Sequence, residues 1–174
     1  WDDARIVDVA IRQKELGKDR ATLTADVEVV VAKPAKGAVP PAALEVAVEG
    51  GAAPVTVKVP LKAGASTHAV AFEIADPRPW WPNGYGEQPL YTVRTRLLVN
   101  GHAVDESKDR IGLRTLELRR AKDEWGTSFE FVVNGVPVFA KGANWIPADS
   151  FLPRMTHESY DQLLRSATDA HMNM

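Results

Sequence analysis

The sequence predicts a mainly β chain: an immunoglobulin-like antiparallel β-sandwich over residues 1–119, followed over residues 120–174 by the opening of a (β/α)8 barrel. Three observations point there. About seven short β-branched or alternating runs, separated by Gly, Pro and Asn-Gly signals, fill the first part, which contains no helical pattern. Asn134-Gly135 between two apolar runs supplies the two positive φ angles of a type I′ hairpin. The single helical pattern, Thr156 to Ala170, comes only after that hairpin.

Taken in order, Arg5–Ile11 alternates, with Ile6, Asp8 and Ala10 on one side and Val7, Val9 and Ile11 on the other. Leu23–Val31 is rich in Val and projects Asp26 and Glu28 opposite Val27 and Val29. Pro34, Gly37, Pro40 and Pro41 break the chain before Leu44–Val48. Gly50-Gly51, a turn, precedes Val55–Val59, where valines alternate with Thr56 and Lys58. After Gly64 come Ala69–Ile74 and the longer Leu90–Val99, which Asn100-Gly101 turns into a segment from Val104 to Leu118. Arg119–Trp125 is a charged connector. The hairpin strands are Phe129–Val133 and Val136–Ala140. A further strand-like run then leads into Gly142-Ala143-Asn144-Trp145 and a Pro-interrupted loop with Asp149, Phe151 and Arg154. In the helix, Thr156 suits the N-cap, Glu158 suits the positive end of the dipole, and Tyr160, Leu163, Leu164 and Ala167 form a stripe expected to be buried. Hairpin, strand, irregular loop and helix is the order in which such a barrel begins.

Composition excludes several functions. A hydrophobic fraction of 45% with 25% charged residues describes a globular domain, and a formal charge of -2 argues against nucleic acid or an anionic membrane as partner. No apolar run is long enough to span a bilayer. The absence of cysteine excludes disulfides and thiolate metal sites but leaves the compartment open. His68, His102, His157 and His171 lack metal-ligand spacing, and neither a Ser-His-Asp order nor a phosphate-binding glycine loop is present. Trp1 follows no initiator Met or signal peptide, and Met174 comes straight after the helix, so the expectation is a piece of a longer protein.

Two stretches could carry a site. Trp80-Trp81 could stack on a pyranose, but large aromatics bury area wherever they sit, and packing is the favoured role. Gly142–Asp149 lies where a first barrel strand would end, the face that holds substrate in such barrels. There Asn144 could donate to a sugar hydroxyl, Trp145 could form a wall and Asp149 could accept from a hydroxyl. Equally, Asn144 and Asp149 could satisfy backbone groups of a kinked loop while Trp145 fills the barrel mouth. Glycoside hydrolysis normally needs two carboxylates. Glu158, Asp161 and Asp169 fall on a helix that would pack outside the barrel, which leaves Asp149 alone in a plausible place.

Three ordered blocks carry a family resemblance. Trp80-Trp81-Pro82-Asn83-Gly84-Tyr85-Gly86-Glu87-Gln88-Pro89-Leu90-Tyr91, Ile111-Gly112-Leu113-Arg114-Thr115-Leu116-Glu117-Leu118 and the run from Asn134 to Arg154 resemble the β-mannosidase branch of glycoside hydrolase family 2. Residues 1–79 match only as a pattern of strands. The resemblance implies a parent exo-glycosidase that releases terminal β-linked mannose with retention and requires no cofactor. It places both catalytic glutamates on later barrel strands, beyond Met174, so no catalytic residue is expected here. It also implies that the sandwich, to which the Trp80 block belongs in the family, packs on the barrel and on a preceding sugar-binding domain. An exo-β-glucosaminidase of the same family is one alternative. A non-catalytic carbohydrate-binding sandwich using Trp80, Trp81 and Trp125 is another.

Overall fold

A computed structural model describes residues 4–32 and 40–174. The turn residues Pro34 and Gly37, and Trp1, lie outside the described residues. The chain divides into two compact units: the described part of 1–78 together with 90–113, and 79–89 together with 114–174.

The first unit holds seven strands: β1 (Ala4–Leu16), β2 (Arg20–Val31), β3 (Ala42–Val48), β4 (Val55–Val59), β5 (Gly64–Ala75), β6 (Tyr91–Val99) and β7 (His102–Ile111). They form two antiparallel sheets, β1-β2-β5 and β4-β3-β6-β7, an arrangement consistent with a β-sandwich. Period-two alternation explains why the sheets face each other. In β2, Ala21, Leu23, Ala25, Val27, Val29 and Val31 are all buried, while the residues between them are not. Val70, Phe72 and Ile74 of β5 join them, and Leu44, Val46, Val93 and Leu97 of the other sheet complete one continuous core. Each such side chain contributes about 1.5–3 kcal/mol of burial free energy. Asn100 and Gly101, with φ of 52° and 80°, make the turn between β6 and β7.

The first strand departs from simple alternation. Ile6 pairs with Val29 but Asp8 with Glu28, so Val7 is an unpaired bulge residue; a second register shift falls between Gln13 and Glu15. Each bulge advances the phase by one. Ile6, Val9, Ile11 and Leu16 therefore all pack on the core, and Val7 is exposed. The expected division into Ile6/Ala10 and Val7/Val9/Ile11 faces is corrected accordingly. At the open edge, Ile6 N donates to Asp105 Oδ2 at 2.7 Å, so a β7 side chain links the two sheets.

The run expected from Val104 to Leu118 is two strands in different units. β7 stops at Ile111, residues 112–115 join no ladder, and β8 (Leu116–Arg119) pairs with β11 (Glu130–Val133) rather than with β6. Leu113, 1% exposed, anchors the end of the first unit in its core. The units thus part ahead of residue 119, and 79–89 group with the second unit.

In that second unit, β9 (Lys122–Asp123) and β10 (Gly126–Thr127) form a small hairpin, and β8, β11 and β12 (Val136–Val138) an antiparallel sheet in the order β12-β11-β8. Asn134 and Gly135 have φ of 49° and 79°, the turn their dipeptide predicts. A 3-10 turn spans Leu152–Arg154, and α1 spans His157–Asp169. Thr156 caps α1, its side chain accepting from Ser159 N at 3.2 Å. No strand forms over residues 139–151, because no neighbouring strand offers a ladder there. The expected buried stripe of α1 is also corrected: Tyr160, Leu163 and Leu164 are exposed and Ala167 is half-buried, since the described residues leave most of that face uncovered. Among the described residues, no helix is long and apolar enough to cross a membrane.

Thr95 is fully buried in the first core, and its hydroxyl finds no hydrogen-bond partner. A stranded buried hydroxyl costs about 1–3 kcal/mol, whereas a methyl in its place costs nothing in hydrogen bonding. Thr95→Val should therefore raise stability by about 1 kcal/mol in urea denaturation. A lower midpoint would show that the hydroxyl has a partner after all.

Candidate functional site

Asparagine side chains frame the second unit, and one of them, Asn173, holds the start of the candidate loop, residues 139–156. Asn134 meets three backbone groups, two through its side-chain amide and one through its own N–H. Its Oδ1 accepts from Thr115 N at 2.9 Å, its Nδ2 donates to Trp80 O at 3.0 Å, and its own N donates to Thr115 O at 3.0 Å. The hairpin turn is thereby tied both to the chain entering β8 and to the 80s loop. In that loop Trp81 N donates to Glu87 O at 2.9 Å, and the Arg114 guanidinium stands 5.1 Å from the Trp80 ring centroid. A Cβ on Gly86 would come within 2.8 Å of the Trp81 ring, so Gly86 is where that indole fits. Trp80 and Trp81 are half-buried in this packing.

Asn83 and Asn173 complete the frame. Asn83 Nδ2 donates to Thr168 O in the last turn of α1 and to Met172 O just beyond it, at 3.4 and 3.0 Å. Asn173 Oδ1 accepts from Lys141 N at 2.8 Å, its Nδ2 donates to Phe139 O at 3.1 Å, and its backbone N donates to Lys141 O at 2.8 Å. The run after the hairpin thus has one edge satisfied by a single residue. A Cβ on Gly142 would lie 2.0 Å from Met174 O, so only glycine allows this approach.

Within this frame, the three residues singled out from sequence take different positions. Asn144 is exposed on the extended stretch. Trp145 is 54% exposed and stacks on Tyr160 of α1, with ring centroids 6.4 Å apart and an interplanar angle of 24°. Asp149 is half-buried, and its Oδ1 accepts from Phe151 N at 2.7 Å, an Asx turn that starts the 3-10 segment. Phe151 in turn lies 4.5 Å below the Arg154 guanidinium. The stack brings Trp145 to the helix, while Asp149 organises the loop backbone. Sequence places Tyr160 only on a helix stripe; its partnership with Trp145 spans a loop whose path no local pattern encodes.

A cleft of about 510 Å³ in the same unit is lined by Tyr85, Phe129, Glu130, Phe131, Pro137, Val138, Phe139 and Ala140. Its carboxylate is already committed. The hydrogen bond from Arg119, 2.7 Å, holds the Glu130 carboxyl below its ordinary pKa, against an opposing effect of desolvation and with help from the Arg119 charge. A general acid needs the opposite shift. A larger cleft of about 760 Å³ in the first unit, walled by Pro40, Pro41, Pro60 and Leu61 among others, has no carboxylate or histidine in its lining. Among the described residues, no cluster of His, Cys, Asp or Glu could hold a metal ion.

The sequence matches the family described as Glycosyl hydrolases family 2 over residues 4–114, more than half of the chain. It is similar to β-mannosidase B of Aspergillus terreus, with 44% identity over 91 residues, 52% of this chain and 11% of that protein. It is also similar to β-mannosidase B of Thermothelomyces thermophilus, with 40% identity over 116 residues, 66% of this chain and 14% of that protein. A β-D-mannosidase structure from Dictyoglomus thermophilum matches with a TM-score of 0.86 at 37% identity, covering 100% of this chain and 21% of that one. An exo-chitosanase from Amycolatopsis orientalis shares the fold with a TM-score of 0.79 at 24% identity, covering 98% of this chain and 19% of that one. The chain spans a tenth to a fifth of the length of these proteins.

Asn134 generates a prediction. Asn134→Ala loses both amide bonds and puts a Cβ-bearing residue without local hydrogen bonding at positive φ, costing about 2–3 kcal/mol; Asn134→Gly removes the strain and isolates the amide at about 1–2 kcal/mol. Thermal denaturation of the two variants measures the difference. A Gly variant as stable as the wild type would mean that the bridge contributes nothing.

Proposed function

The chain belongs to glycosyl hydrolase family 2, and we propose that it is the supporting sandwich and barrel opening of a β-mannosidase, an exo-glycosidase that removes terminal β-D-mannosyl residues with retention. On this reading the first unit is an immunoglobulin-like brace, residues 120–174 open the (β/α)8 barrel, and the chain packs on a preceding domain and on the rest of the barrel within one polypeptide. The observation that carries the reading is the similarity to a β-mannosidase structure at 37% identity over the whole chain. The order of hairpin, loop and capped helix supports it, as does the large apolar surface of the second unit, where Phe139, Ile146, Phe151 and Leu164 are all exposed.

The chemistry assigned to this piece is substrate holding rather than bond cleavage. Retaining hydrolysis needs two carboxyl groups about 5–5.5 Å apart, one as nucleophile and one as acid/base. Both belong to later barrel strands of the parent. Asn144 donates to a sugar hydroxyl, Trp145 offers its indole to the C–H face of the terminal mannose, and Asp149 accepts from a hydroxyl with the carboxylate oxygen that does not hold the Phe151 amide. A hydrogen bond that tightens as the ring flattens toward its oxocarbenium-like state lowers the barrier, while one of constant strength aids only binding.

One observation favours a second reading. Trp125, at the tip of the β9–β10 hairpin, is 88% exposed, as a glycan-stacking residue of a non-catalytic module would be. Binding of a mannose-containing oligosaccharide by the chain alone, lost in Trp125→Ala, is the outcome that would favour it.

Two assays test the enzyme reading. The purified 174-residue chain should not turn over a chromogenic β-mannoside that the full-length parent hydrolyses; turnover sensitive to mutation within the chain would overturn it. In the parent, Asp149→Asn keeps an oxygen for the Phe151 amide but removes the charge. It should lower kcat/KM by about ten-fold, near 1.4 kcal/mol, with little change in melting temperature. Normal kinetics with lost stability would make Asp149 a loop residue only.

A further inference from the structure

We propose that Tyr160 is a positioning residue for Trp145, setting the plane of the indole against which the terminal sugar lies. The inference rests on the reading of Trp145 as a wall of the sugar site and adds the residue that makes the wall rigid.

Trp145 stands on a stretch without ladder partners, so no strand fixes its direction. With 54% of its surface exposed, little packing from the described residues restrains it either. Among the described residues, the indole has one aromatic neighbour on one side: Tyr160, 6.4 Å between centroids and 24° between planes, an offset stack rather than an edge contact. A sugar platform needs that division of faces, one covered and one free. Tyr160 in turn sits on a defined element. Its N donates to Thr156 O at 3.2 Å in the first turn of α1, Thr156 caps that turn through Ser159, and Asn83 holds carbonyls at the other end of the helix. The plane of Trp145 is therefore set by a capped helix and not by its own loop. Ring planarity is the property the arrangement uses; the tyrosine hydroxyl is not required for it.

The full-length parent tests this with a chromogenic β-mannoside. Tyr160→Phe, which keeps the ring, should stay within about two-fold of wild-type kcat/KM. Tyr160→Leu, which keeps apolar bulk but loses the plane, should raise KM about five-fold or more, with kcat changed less and the melting temperature nearly unchanged. Because the effect acts through the indole, Trp145→Ala combined with Tyr160→Leu should lose no more than Trp145→Ala alone. A wild-type KM in Tyr160→Leu, equal loss in Tyr160→Phe, losses that multiply in the double variant, or a change confined to melting temperature would each overturn the proposal. If Trp145→Ala itself is kinetically silent, the assignment of Trp145 to the sugar site fails and this proposal with it. If Trp145→Ala is impaired and Tyr160→Leu is normal, only the positioning role fails.

Discussion

Backbone groups withdrawn from water must find partners, and in this chain the strand ladders stop short of meeting that need. Side chains take over where they stop. Asp105 accepts from Ile6 N at the open edge between the two sheets of the first unit. In the second unit Asn134 bridges Thr115 and Trp80, Asn83 meets carbonyls at the end of α1, and Asn173 satisfies one edge of Phe139–Lys141. Asparagine suits this duty because its amide offers a donor and an acceptor at once, as a strand residue's backbone does. Each bond contributes only about 0.5–1.5 kcal/mol net, but leaving the same groups unmet would cost more.

The two units differ in what else supports them. The first buries a continuous core between its sheets, with Leu23, Leu44, Val93 and Leu97 at or near zero exposure. The second buries Val132, Val133 and Val138 and leaves most of its large apolar side chains exposed. A polar frame with so little apolar burial behind it holds geometry better than it supplies stability, because hydrophobic burial is the dominant favourable term in folding. Under the proposed function, the uncovered faces of α1 and the candidate loop would complete their core against the rest of the parent.

That division of labour bears on function. Family membership concerns the scaffold, whereas a glycosidase site is defined by particular groups placed on it. The carboxylate best defined here, Glu130, is kept ionised by Arg119 and so is unsuited to donate a proton. Asp149 holds the loop backbone with one oxygen. Trp145 offers an aromatic face. Under the proposed function these features would make a wall that orients a sugar, with the chemistry supplied by groups facing it.

Much of this could be read from residue patterns. The alternation of β2 gives its buried face directly, because side chains on a strand must point to opposite sides. Asn134-Gly135 gives the hairpin because few other dipeptides accept two positive φ angles, and Thr156 gives the start of α1 through its cap. The candidate loop could be located, and the proposed roles of Asn144, Trp145 and Asp149 framed, from barrel order alone. Tertiary structure decided the rest. The bulges of β1 depend on pairing with β2, the break after Ile111 depends on Leu116–Arg119 finding its partner in β11, and the stack of Trp145 on Tyr160 depends on the path of an irregular loop. Local sequence encodes dihedral preference and period; register and ring contact are set by residues distant in the chain, whose meeting is a property of the folded whole.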